Sequence, residues 1–165
     1  MYNINDIVVY RRDVCRVVGK QKSSFTGEMC YVLVPYGAVD NSVTMQVPVS
    51  NKGGHLRDVV SKERIDELCR SASCMETLES KPANMKSQYA ALMKGDSLDD
   101  LVCIIKTSYQ RNHERLKNHK KLASIDGEYL AKAEKLLYTE MSVAMNLPYD
   151  ECKKYFEKQV RKYSG

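Results

Sequence analysis

Residue usage changes near Val60, and this change constrains the fold more than any single motif does. Before it, valines and the glycines Gly19, Gly27, Gly37, Gly53 and Gly54 punctuate short apolar runs; after it, Leu, Ala, Met, Lys and Glu dominate. The first composition suits strands and the second suits helices. The chain therefore reads as α+β in two domains, a small β domain over residues 1–60 and an all-α domain over residues 61–165.

Within the first domain, residues 6–10 (Asp-Ile-Val-Val-Tyr) have the β-branched and aromatic character of a strand. Residues 14–20 follow, with Val14, Arg16 and Val18 on one face and Cys15 and Val17 on the other. Turn residues at 23–27 precede a buried strand at 28–34, and residues 35–41 supply the next turn. Residues 42–49 form a fourth strand, in which Pro48 lacks an N–H and belongs at an edge or a strand end. Four or five short strands with no long helix between them predict a small antiparallel barrel of the SH3 or Tudor kind.

The second domain reads as four to five helices. Ser61 is placed to cap a helix carrying Ile65, Leu68 and Cys69, and residues 71–82 are polar and broken, as in a linker. Residues 84–94 have helical spacing with Gly95 as a stop, and Ser97 caps the next helix with Asp99 and Asp100 in its first turn. Ser124 is expected to cap a helix over Leu130, Ala133, Leu137 and Met141. Pro148 then suits the first turn of a last helix with Cys152, Tyr155, Phe156 and Val160.

No phosphate loop, dinucleotide fingerprint or nucleophile motif is present, so the chain reads as a non-enzyme without cofactor. Cys15, Cys30, Cys69, Cys74, Cys103 and Cys152 form no closely spaced pair and stand apart from His55, His113 and His119, which argues against zinc. They read as reduced core thiols, with Cys69 and Cys74 partly exposed. No apolar run approaches the ~20 residues of a membrane helix, and the first residues carry no secretory signal, so a cytoplasmic, monomeric protein is expected. The net charge of +5 is modest, but residues 106–121 place Lys106, Arg111, Arg115, Lys117, Lys120 and Lys121 against Glu114 alone, a local excess suited to a polyanion.

The order of the pieces is similar to a known family. Asn5-Asp6-Ile7-Val8-Val9-Tyr10 resembles the GD-x-VVY opening of the CarD and CdnL regulators, a module shared with the transcription-repair coupling factor. Residues 27–34 resemble its G-x-x-x-YYVL strand, residues 43–49 its T-V-x-VPV strand, and residues 54–60 its VGLR-x-V exit. In the second domain Leu92-Met93-Lys94-Gly95-Asp96 resembles the L-x-SGD junction, and residues 124–137 the S-x-x-E-x-x-LAKA-x-x-x-L helix of free-standing members.

The resemblance implies a regulator that binds the RNA polymerase β subunit through the β domain and promoter DNA, at the upstream edge of the bubble, through the helical domain. The polymerase contact falls on the strand edge at Met45, Gln46, Val47 and Pro48, with Arg11, Arg12, Arg16 and Arg57 adding charge. Lys86 resembles a basic DNA contact of the family, and with the basic run, which the family lacks around residues 115–121, phosphate contacts are expected from some of Lys81, Asn84, Lys86, Arg111, Arg115, Lys117, Lys120, Lys121 and Lys132. Two positions depart from the family: Gln46 stands where a basic residue pairs with polymerase, and Lys81 stands where many members insert a tryptophan, a residue this chain lacks. An RNA-binding or ribosome-associated β-barrel protein is the alternative.

Overall fold

A computed structural model describes residues 1–40 and 42–164. Asn41, at the end of the expected 35–41 turn, and Gly165, at the end of the expected helical domain, lie outside the described residues. The chain divides into two compact units, Met1–Val59 and Val60–Gly165.

In the first unit, β1 (Ile7–Tyr10), β2 (Asp13–Lys22), β3 (Met29–Pro35), β4 (Met45–Pro48) and β5 (Leu56–Asp58) form one antiparallel sheet in the order β4-β3-β2-β1-β5. Alternation directs Val8, Cys15, Val17, Tyr31, Leu33, Val47 and Leu56 to a common apolar core. The β2–β3 register shifts between Val17 and Gly19, so Val18 is an extra, bulged residue that bends the long strand. The strand expected over 42–49 begins only at Met45. Upstream of it, the Ser42 N–H donates to Asp40 Oδ1 at 3.1 Å, a local turn bond that competes with the ladder.

The expected barrel does not close, because β4 and β5 both remain edges. Arg11 N–H donates to the His55 carbonyl at 2.8 Å, so ladder alternation turns the backbone groups of Leu56 outward. There the Asn51 side chain takes both of them: Nδ2 donates to Leu56 O at 2.8 Å, and Oδ1 accepts the Leu56 N–H at 3.2 Å. Asn51, in the left-handed region at φ 50°, thus occupies the place of a sixth strand. Tyr2 ties the open side together: its hydroxyl donates to Asp58 on β5 at 2.8 Å, and its N–H donates to the Tyr31 hydroxyl on β3 at 3.0 Å.

The second unit contains α1 (Lys62–Cys74), a 3₁₀ turn (Pro82–Asn84), α2 (Met85–Met93), α3 (Leu98–Lys117), α4 (Ser124–Met145) and α5 (Tyr149–Tyr163). Ser61 and Ser97 cap as their positions predict, accepting from Arg64 N–H and Asp99 N–H, each at 3.1 Å. Helix α1 continues through the expected break at Ser71, because Ala72 fills the core beside Leu68 and Cys69. Ser124 is the first residue of α4 rather than its cap, a position held by Ala123, and Pro148 caps α5 from outside its first turn. The core joins Ile65, Leu68, Tyr89, Leu101, Ile104, Leu137, Met141 and Phe156 across all five helices. Among the described residues no helix is long and apolar enough to cross a membrane, and no cluster of His, Cys, Asp or Glu is arranged to hold a metal.

All six cysteines are free, and only Cys74 is exposed; Cys69, expected to be partly exposed, is fully buried. Burial pushes the Cys15 thiol up to about 11 and the Cys69 thiol up to about 12, which keeps both protonated at neutral pH. Alkylation of the native chain is expected to modify Cys74 first and the half-buried Cys103 more slowly. Cys15, Cys30, Cys69 and Cys152 should stay intact until denaturant is added, as read by peptide mass spectrometry.

Candidate protein and nucleic-acid surfaces

The first candidate surface is the outer edge of β4. Val49 N–H donates to Met29 O at 3.0 Å, so the bonded pairs of the ladder are Met29 with Val49, Tyr31 with Val47 and Leu33 with Met45. The N–H and C=O of Gln46 therefore face away from the sheet, as does the C=O of Pro48, which is taken by the Asn51 N–H at 3.0 Å. Gln46 and Pro48 are exposed, whereas the Val47 side chain is 3% exposed and belongs to the core. Val47 therefore serves the edge by fixing the strand on the sheet. Pro48 ends this edge strand, where its missing N–H costs no ladder bond.

The four arginines expected to support this edge do not form one patch. Arg11 and Arg12 occupy the β1–β2 turn, with the Arg11 guanidinium 5.5 Å from the Tyr10 ring centre. Arg16 lies on β2 and donates to Asn5 Oδ1 at 3.2 Å. Arg57 lies on β5, at the other end of the strand order, and donates to the Asp58 carbonyl at 3.0 Å.

The second candidate surface is the corner between α3 and α4. Lys120 N–H donates to Arg115 O at 2.8 Å, and the Arg115 side chain donates to Lys121 O at 3.2 Å. His119, in the left-handed region at φ 57°, makes the reversal between them. The corner is thus fixed by its own backbone while Lys117, Lys120 and Lys121 stay exposed. A cleft of about 190 Å³ is lined by Arg111, Glu114, Arg115, Asn118 and Lys120 together with Ser80 and Pro82, the residues on either side of Lys81. Lys81 is exposed and paired with Glu79 at 3.3 Å. Asn84 and Lys86 are exposed at the start of α2, and the Lys132 ammonium on α4 is engaged by Glu128 at 3.3 Å and by the Tyr129 ring at 5.0 Å. None of these last three lines the cleft.

Arg111 lines the floor of this cleft and is turned mostly inward. It is 5% exposed, and its Nε donates to Asp126 Oδ1 and Oδ2 at 2.9 and 3.1 Å, while another guanidinium nitrogen donates to Ser80 Oγ. Asp126 is fully buried and also accepts from the Tyr89 hydroxyl at 2.6 Å, and Ser108 Oγ donates to that hydroxyl at 3.2 Å. Burial, with the Asp126 carboxylate next to it, raises the Tyr89 hydroxyl well above its ordinary range. Thr107 Oγ1 accepts the Leu78 N–H at 3.0 Å, so α3 holds the chain just before the 3₁₀ turn at two points, Leu78 and Ser80. Arg111 therefore links Ser80, the residue before Lys81, to Asp126 in the first turn of α4.

Sequence reasoning missed Asn51, Ser80 and Asp126. An acid in the first turn of α4 reads as a partner for the helix dipole, and nothing local marks Asp126 as buried. No protein-family model and no curated protein sequence matches this chain.

Proposed function

We propose that this chain is a CarD-type transcription regulator, a non-enzymatic adaptor that acts as a monomer in the cytoplasm, joined to the nucleoid through RNA polymerase. Its first unit is a Tudor-like module whose barrel has stayed open, and the edge of β4 accepts a strand of the polymerase β subunit. One observation carries this reading: of the two sheet edges, Asn51 occupies β5 at Leu56, while β4 presents Gln46 outward. Backbone pairing tolerates the change from a basic residue to Gln46, because the bonds come from the main chain.

The helical unit contacts promoter DNA through the exposed Lys117, Lys120 and Lys121, with Arg115 on the adjoining cleft, and through the exposed Lys81 and Lys86. These contacts are to phosphates, so binding falls steeply with salt and depends little on sequence. With Lys81 in place of an aromatic wedge, base stacking of roughly 1–3 kcal/mol is absent and the grip on the fork is correspondingly weaker.

Affinity capture with the full-length chain tests the reading. RNA polymerase is expected in the eluate and the purified β subunit is expected to bind directly; ribosomes without polymerase would overturn it. A Lys86→Glu, Lys120→Glu, Lys121→Glu variant is expected to keep β-subunit binding while its promoter-complex affinity drops about tenfold or more and its salt slope becomes shallower. An unchanged affinity and slope would assign these lysines to a solvated surface.

A further inference from the structure

The helical unit also contains a recess that the basic corner does not use. Residues of α1, α3, α4 and α5 line a recess of about 300 Å³ that is open to solvent on one side. Water fills liquid at ~30 Å³ per molecule, so this volume holds roughly ten non-hydrogen atoms. Its walls are apolar: Ala72 from α1, Val102 and Ile105 from α3, Phe156 and Val160 from α5. Tyr138 of α4 completes them, and its hydroxyl, on a side chain only 2% exposed, makes no hydrogen bond of normal geometry among the described residues, with the Glu134 carboxylate near it. Native interiors rarely leave such a group unmet.

The rim carries charge in one direction. Lys106 and Arg161 line it with Glu157 as the single acid, and Glu157 is paired with Arg161 at 3.7 Å. The Lys106 ammonium donates to the carbonyls of Ala72 and Met75 at 2.9 and 2.5 Å, where α1 ends. An ammonium has three donors, so one is left for a ligand. The two carbonyl bonds hold the positive charge at the mouth, which a freely moving surface lysine would not do. An apolar wall with few fixed polar groups is the pattern of a small-molecule site.

We propose that this cavity binds a free aliphatic monocarboxylate of about ten carbons, with its chain against Val102, Ile105 and Val160 and its carboxylate on Lys106. The chain gains by leaving water, and the head group meets a cation whose position is set before binding. This site is independent of the polymerase reading, since it needs neither the β4 edge nor the basic corner.

The test titrates the full-length chain with decanoate below its micellar range and follows the methyl resonances of Val102, Ile105 and Val160. Saturable shifts in these methyls with a submillimolar Kd are expected. Decanol should bind about fivefold more weakly, and Lys106→Gln, which keeps donors for the α1 carbonyls, should erase that preference. Val160→Trp, which fills the recess, should abolish both. Absence of saturable shifts at about 1 mM decanoate overturns the proposal. Equal affinity for decanol, or association with anionic phospholipid vesicles in preference to monomeric decanoate, overturns it as well.

Discussion

Replacing Arg111 with methionine is expected to lower the unfolding free energy by about 3–5 kcal/mol, because it leaves the fully buried Asp126 without its cation. Tyr89 alone would then serve a carboxylate that no water reaches. The Arg111→Met, Asp126→Leu double variant should recover much of the loss, since a well-packed apolar pair removes both desolvation costs together. Denaturant unfolding followed by circular dichroism reads both effects. If the single variant shifted stability by less than about 1 kcal/mol yet weakened DNA binding strongly, the guanidinium would be a phosphate ligand and its structural role would be wrong.

The second large effect is expected at Gln46. Its N–H faces away from β3, so Gln46→Pro removes a donor that the folded sheet does not use and sets a ring across the path of an added strand. Affinity for the polymerase β subunit should fall by at least about tenfold, the equivalent of one lost backbone bond or more, while stability changes by about 1 kcal/mol or less. Gln46→Ala keeps the N–H and should bind almost as the parent does. Asn51→Ala opens the opposite edge and should leave β-subunit affinity unchanged. Equal loss in the proline and alanine variants would transfer recognition from the backbone to the side chain.

What the sequence disclosed follows the range over which each interaction acts. Ser61 and Ser97 were legible because a cap bonds within three residues of itself. The core stripes of α3 and α5 were legible because period 3.6 is written in the chain. The end of α1 was misplaced because Ser71 to Cys74 looks polar in isolation, and only the packing of Ala72 keeps it helical. Barrel closure was beyond reach, since it depends on whether two edges of four and three residues meet, and an asparagine side chain intervenes. Arg111 illustrates the same limit within the candidate site. A basic run shows where positive charge is concentrated, but not which member turns inward to meet an acid fifteen residues later.

Asn51 also bears on how this molecule behaves at high concentration. A sheet with two accepting edges is a bivalent monomer: β4 of one copy could pair with β5 of the next, and because that contact is heterologous nothing would close the series. Growth by such head-to-tail addition gives filaments. The Asn51 side chain takes both outward backbone groups of Leu56, so that under the proposed reading a strand received at β4 finds no matching place at that point of β5 through which the pairing could be passed on.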